Sequence, residues 1–264
     1  MSAHDEAAKA LFDAEHNRIQ IGLLSKAHPT WTMEDAYAVQ AALVKRKLAS
    51  GRRIIGWKIG LTSKAMQDAL KINIPDSGIL FDDMLFENGA TIPKGRFIQP
   101  RIEAEIAFIM KADLKGPNVT VEHVRAATDF VAPSLEILDT RILRVDPETK
   151  ATRTIVDTIS DNAANAGIVL GAERHTIDAF DLRWVGAIVK RNGEVEETGL
   201  GAGVLDEPAT GIAWLANRLA QHGDHIRAGD IVLSGSFIRP VEAISQSRLE
   251  ADFGAFGLVS INFE

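Results

Sequence analysis

Two glutamates on one strand could share a cation. In Arg101-Ile102-Glu103-Ala104-Glu105-Ile106-Ala107-Phe108, strand alternation sends Ile102, Ala104, Ile106 and Phe108 to one face and Glu103 and Glu105 to the other. Two steps of strand rise set those carboxylates roughly 7 Å apart along the chain, within reach of one ion. A third acid, Glu136, sits between Leu135 and Ile137 in APSLEILD, an apolar setting that makes an unpaired charge costly. Three oxygen ligands with no Cys or His beside them suit Mg²⁺ or Mn²⁺ better than zinc. The spacing alone equally fits the solvated face of an amphipathic strand, with Glu136 in a core salt bridge to Arg141 or Arg101.

Lys58 is the candidate for proton transfer or carboxylate binding. It lies in IIGWKIGLTSK with Gly56 and Gly60 on its own strand face. Positions without side chains leave room for a ligand beside an ammonium group, or else let another backbone cross closely while the lysine reaches water. Asp76 in NIPDSGIL is either a turn acid or a second catalytic group. Near the C-terminus, Ser234-Gly235-Ser236 forms a small-residue turn ahead of Arg239. Its amides and hydroxyls could hold one carboxylate and the arginine clamp another, though a plain hairpin has the same signature. The stretch DTISDNAANAGIVLG crowds Asp157, Ser160, Asp161, Asn162 and Asn165 before an apolar run, and about half of these are expected to cap or turn the backbone.

The elements that must position these groups change character near Gly51. Residues 3–50 are rich in Ala, Leu, Lys and Glu, and the spacing predicts a helix, a break at Pro29 and a second helix. Thr32 should cap that second helix, with acids in its first turn and Gly51 at its end. Beyond lie short apolar runs punctuated by Gly, Pro, Asn and Asp, read as strands and hairpins. Asn192-Gly193 in KRNGEVEE marks a two-residue hairpin turn. Helices are expected near 121–130 and 207–222. The class is α+β with strands in the majority, divided as an N-terminal lobe over 1–70 and a catalytic domain over 71–264.

Composition closes off other chemistry. The 264 residues contain no cysteine, which removes disulfides, thiolate nucleophiles and cysteine-held metals. A formal charge of −7 without a basic block argues against nucleic acid. The charged, helical N-terminus does not resemble a signal peptide and no apolar run is long enough to span a membrane, so the cytoplasm is the expected location. No nucleophile elbow, P-loop or dinucleotide fingerprint occurs, and no histidine falls inside the apolar strand motifs.

The strings GWKIGLTSKAMQ, PDSGILFDDMLF, PRIEAEIAFIM, PSLEILDTR, DTISDNAANAGIVLG and GSFIRPV, in this order, resemble the hydratase and decarboxylase branch of the fumarylacetoacetate hydrolase superfamily. That resemblance implies a mixed β-sandwich roll with an N-terminal α/β lobe, assembled as a homo-oligomer from dimers. It implies Mg²⁺ on Glu103, Glu105 and Glu136, with Lys58 and Asp76 at the reacting end of a small 2-oxo dicarboxylic acid. Hydrolases of the superfamily use a His–Glu pair to activate water, and no histidine stands in the corresponding stretch. Hydration or decarboxylation is therefore favoured. The turn GSFIRPV is similar to the dioate hydratases, whose reaction adds water to 2-oxohept-4-ene-1,7-dioate in homoprotocatechuate degradation. Pentadienoate hydration and 4-oxalocrotonate decarboxylation are the alternatives. The same resemblance gives substrate contacts to Ser160, Ser236 and Arg239, with Arg239 on the distal carboxylate and Arg101 able to serve the same end.

Overall fold

A computed structural model describes residues 2–63, 67 and 74–264; the lobe boundary expected at residue 70 lies outside them. Helix α1 (Ala3–Asn17) is capped by Ser2 and α3 (Met33–Ala49) by Thr32. Each cap exchanges hydrogen bonds with an aspartate three residues on, so two of the backbone donors at the helix start are satisfied. Gly51, at φ 93°, turns the chain out of α3 as expected. The first helix is shorter than its composition suggests. Arg18 takes a left-handed conformation and Ile21 then pairs its backbone with Arg141 and Leu143, before the four-residue α2 (Leu24–Ala27). A tertiary backbone pairing there replaces helical hydrogen bonds. Leu11, Leu43 and Ile142 form a separate small core that fixes α1 and α3 to the rest of the chain.

Among the described residues, thirteen strands build two mixed sheets. The larger contains β1 (Ile54–Gly60), β2 (Asp76–Phe81), β3 (Leu85–Phe86), β5 (Arg101–Met110), β6 (Thr128–Leu138), β7 (Asn165–Leu170) and β10 (Ile231–Ser236), in the order β2-β1-β10-β5-β6-β7-β3. Strand β11 (Val241–Glu242) adds to β5. The smaller runs β4-β13-β12-β8-β9, from β4 (Thr91–Ile92), β8 (Gly186–Arg191), β9 (Glu194–Leu200), β12 (Ser247–Asp252) and β13 (Leu258–Phe263). Its Asn192-Gly193 corner has both φ angles positive, at 52° and 87°, as a tight hairpin turn requires. Strand β13 packs against β6 and β7, and one apolar core fills the space between the sheets.

Three further helices of the described residues are α4 (Val121–Ala127), α5 (Ile155–Ser160) and α6 (Pro208–Ala220). Helix α6 lies on β1 and β10. Helix α4 stops three residues earlier than anticipated, because Thr128 is already the first residue of β6 and returns its hydroxyl to the Val124 carbonyl. β-branched and aromatic residues from Thr128 to Val131 favour the strand.

Candidate active site

The two faces of β5 part as the alternation demands. Ile102, Ala104, Ile106 and Phe108 are fully buried in the core, and Glu103 and Glu105 point the other way. The register then adds what spacing could not show, since Glu103 stands directly opposite Glu136 on β6. Like charges facing each other across a strand pair oppose sheet formation. One carboxylate oxygen from each of Glu103, Glu105 and Glu136 lies within 4.8 Å of the others.

Two neighbours orient the triad. Strand β10 bulges before Ser236, with Gly235 at φ 114°, and the bulge aims the Gly235 N–H at Glu105 Oε2, 2.7 Å away. A side chain at Gly235 would run into Thr62. From β1, Lys58 Nζ approaches Glu136 Oε1 to 3.4 Å. Neither Arg141 nor Arg101 fills that role, because they pair with Asp161 and Glu242. Asp76 opens β2 opposite Gly60, and a side chain at Gly60 would strike both the Asp76 carboxylate and the Lys58 ammonium. The two glycines therefore do different jobs: Gly60 clears space between reactive groups, whereas Gly56 lets the Ile231 backbone pass.

Burial and mutual repulsion strain these charges. Burial, joined by the charge on Glu136, pushes the Glu103 carboxyl up to about 8, and burial with Glu103 pushes Glu105 up to about 7. Burial also holds Glu136 and Asp76 above the usual carboxylate range. Burial works against the Lys58 ammonium, yet the surrounding acids, Glu136 foremost, outweigh it and keep the lysine protonated. One ammonium cannot neutralise the set. Glu105 Oε1, both oxygens of Glu136 and Asp76 Oδ1 are buried without a hydrogen-bond partner. Unsatisfied hard oxygens on Glu105 and Glu136, converging with a carboxylate oxygen of Glu103, fit a divalent cation.

A cavity of about 430 Å³ reaches this cluster at Glu103, and Lys58, Asp76, Arg101, Arg144 and Arg153 also line it. A second cavity of about 220 Å³, reaching Thr62, Ser236 and Arg239, meets it at Gly60, Leu61, Glu103 and Pro240. The remaining sequence candidates fall outside the inner cluster. Ser236 Oγ donates to the Ile238 carbonyl at 2.8 Å, and Ser160 is buried at the end of α5 and lines neither cavity. Arg239 is 83% exposed and paired with Glu197 at 2.7 Å. The polar run after Thr154 is largely structural, with Asp157 capping α5 and Asn162 clamping the Ile79 backbone. Arg144 and Arg153 escaped the sequence reading; the available signal was RVDPETKATR, a turn sequence flanked by arginines.

Fold and site together fit a class of enzyme that holds a divalent cation on a carboxylate triad, here with Lys58 and Asp76 beside it. No protein-family model matches the chain. It is 51% identical to the 2-oxo-hept-4-ene-1,7-dioate hydratase of Escherichia coli over 98% of this chain and 97% of that protein. Identity to the 2-hydroxyhexa-2,4-dienoate hydratase of Comamonas testosteroni is 40%, covering 96% and 94% of the two chains. The 4-oxalocrotonate decarboxylase of Pseudomonas putida G7, solved with magnesium and adipate, superposes with a TM-score of 0.92 at 34% identity, over 99% of this chain and 97% of that one. A second structure of that decarboxylase holds calcium and acetate. The chain belongs to the hydratase and decarboxylase branch of the fumarylacetoacetate hydrolase superfamily. Within it the chain is a hydro-lyase, most similar among these relatives to the dioate hydratase. No helix among the described residues is long and apolar enough to cross a membrane.

Proposed function

We propose that this chain hydrates 2-oxohept-4-ene-1,7-dioate, bound as its dienol, to 4-hydroxy-2-oxoheptanedioate. The observation that carries this reading is the convergence of Glu103, Glu105 and Glu136, with Glu103 lining one cavity together with Lys58 and Asp76. Identity of 51% to a named dioate hydratase selects hydration over decarboxylation, and the adipate held by the related decarboxylase supports a dicarboxylic ligand. Glu103, Glu105 and Glu136 would hold Mg²⁺, with Mn²⁺ the alternative. When bound, the ion would supply positive charge against the enolate that develops on the 2-oxo acid.

The chain's own residues handle the protons. Loss of the C2 enol proton together with protonation at C5 leaves the C3–C4 double bond conjugated with the C2 carbonyl. Water oxygen then bonds to C4, the C3–C4 electron pair becomes the enolate, and a proton returns to C3. Asp76 is the group that takes the proton from water and passes it to C3, because burial raises its pKa and its Oδ1 is free of other partners. Lys58 stands beside the triad, 3.4 Å from Glu136. It serves as a fixed positive charge beside Glu136, orienting the acid and the enolate.

Assembly from dimers is part of this reading, supported by exposed Trp184, Ile188, Val195 and Leu200 on or beside β8 and the edge strand β9. Incubating the metal-loaded enzyme with the seven-carbon dienol dioate in heavy-oxygen water tests the reaction. A product that gains one labelled water at C4 supports hydration; loss of carbon dioxide would make the chain a decarboxylase.

A further inference from the structure

We propose that Arg144 and Arg153, with Arg101 beside them, bind the distal carboxylate of the substrate and thereby set the preference for a dioate. The inference deepens the function proposed above and rests on it for the identity of the substrate.

The segment after β6 folds back on itself. Val145 and Thr152 form an antiparallel bridge, and the Arg153 N–H donates to the Arg144 carbonyl at 3.2 Å, so the two arginines stand opposite each other. Facing like charges oppose such a pairing unless an anion lies between them. Neither guanidinium forms an ion pair among the described residues. Arg144 gives one hydrogen bond to the Gln99 carbonyl at 3.2 Å and Arg153 gives one to Thr140 Oγ1 at 2.8 Å, which leaves most of their ten N–H groups unused. Burial, then Arg101 and Arg153, hold the Arg144 pKa down to about 10. Acidic groups do lie near, Asp139 and Glu242 by Arg144 and Asp157 and Asp161 by Arg153, but they do not offset burial and repulsion.

The loop is braced from outside. Asp146 accepts from the Thr149 N–H at 2.7 Å and from Lys26 Nζ at 2.9 Å, which fixes the tip without touching the guanidiniums. Their placement is therefore set before a ligand arrives. A shared cavity wall links the arginines to the reacting groups. Lys58 and Asp76 line the 430 Å³ space with the arginines and are absent from the walls of the 220 Å³ space that contains Arg239. A substrate with its 2-oxo acid head at the triad and C3 to C5 beside Asp76 extends its far end toward Arg144 and Arg153. Arg239 offers less, since a solvent-exposed pair of the kind it makes with Glu197 contributes only about 0–1 kcal/mol.

The test compares Arg144→Gln, Arg153→Gln and Arg239→Gln on the seven-carbon dienol dioate and on the five-carbon 2-hydroxypenta-2,4-dienoate, which lacks the second carboxylate. The first two should lower kcat/KM for the dioate roughly 30-fold or more, with a change under about threefold for the monoacid. Arg144→Lys should recover part of the loss, and Arg239→Gln should leave both substrates unaffected. Equal losses on both substrates, or discrimination lost only in Arg239→Gln, would overturn the assignment. Calorimetric titration of magnesium-loaded protein with adipate and with hexanoate separates this from the hydration chemistry. Wild type should bind adipate more tightly and both glutamine variants should bind the two alike, whether or not turnover is hydration. Variants that keep the adipate preference would end the proposal.

Discussion

Two groups of buried charges occupy the larger sheet and its flank, and they are finished to different degrees. Arg141 and Asp161 form the closed one. Nε of Arg141 meets Asp161 Oδ1 at 2.5 Å, Nη2 meets the Asp161 carbonyl at 2.6 Å and Nη1 meets the Asn165 carbonyl at 3.1 Å. The triad of Glu103, Glu105 and Glu136 is the open one, with a single lysine among the described residues for three acids and three of its carboxylate oxygens without a hydrogen bond. Burial alone does not mark a functional charge. A group that the fold has finished satisfying holds structure, and one left short of a counter-charge awaits a ligand.

Breaking the open cluster should show the largest effect. Glu136→Gln should cost about three orders of magnitude or more in metal-dependent turnover by removing a ligand to the cation. Its metal-free melting temperature should hold or rise, because a repelled buried charge is gone; a large destabilisation would place Glu136 with Arg141 as a structural residue. The closed cluster should respond in the opposite way. Arg141→Ala strands Asp161 in the interior and should lower unfolding free energy by about 3–5 kcal/mol, measured by urea melts, with metal affinity of the folded protein retained.

Adding metal should sharpen the contrast. Mg²⁺ at a hundredfold excess over its Kd should stabilise wild type by about 2.7 kcal/mol and leave Glu136→Gln unmoved. Smaller still is the pH effect on metal-free protein. Glu103 and Glu105, raised from 4.5 to about 8 and about 7, bind protons more tightly folded than unfolded. Their contribution to stability is complete below about pH 4.5 and is lost as pH rises through 7 to 8. Melting temperatures measured from pH 6 to 9 should therefore fall without metal and flatten with it. An equal slope in both conditions would separate the titration from the cation site.

Local signals in the sequence carried the Thr32 cap with its Gly51 stop, the Asn192-Gly193 corner and the facing of Glu103 and Glu105. Glu136 was visible as an acid in an apolar run, but its partner was not. Lys58 lies far away in the chain, and only the order β1-β10-β5-β6 brings it across to Glu136. The same holds for the Gly235 amide, which a bulge in β10 turns toward Glu105. Arg239 looked attractive because its turn is compact and polar, yet nothing in that turn shows how far the side chain extends into water. Arg144 and Arg153 are nine positions apart, and their confrontation depends on a bridge between Val145 and Thr152 that has no strong strand signal.

The most direct test of the open cluster is the stoichiometry of Mn²⁺ binding, followed by electron paramagnetic resonance on metal-free wild type, Glu105→Gln and Glu136→Gln. One ion per wild-type chain, displaced by Mg²⁺ and absent from both variants at the same concentration, is the predicted result. Wild-type binding in either variant would show that these carboxylates are not the metal site.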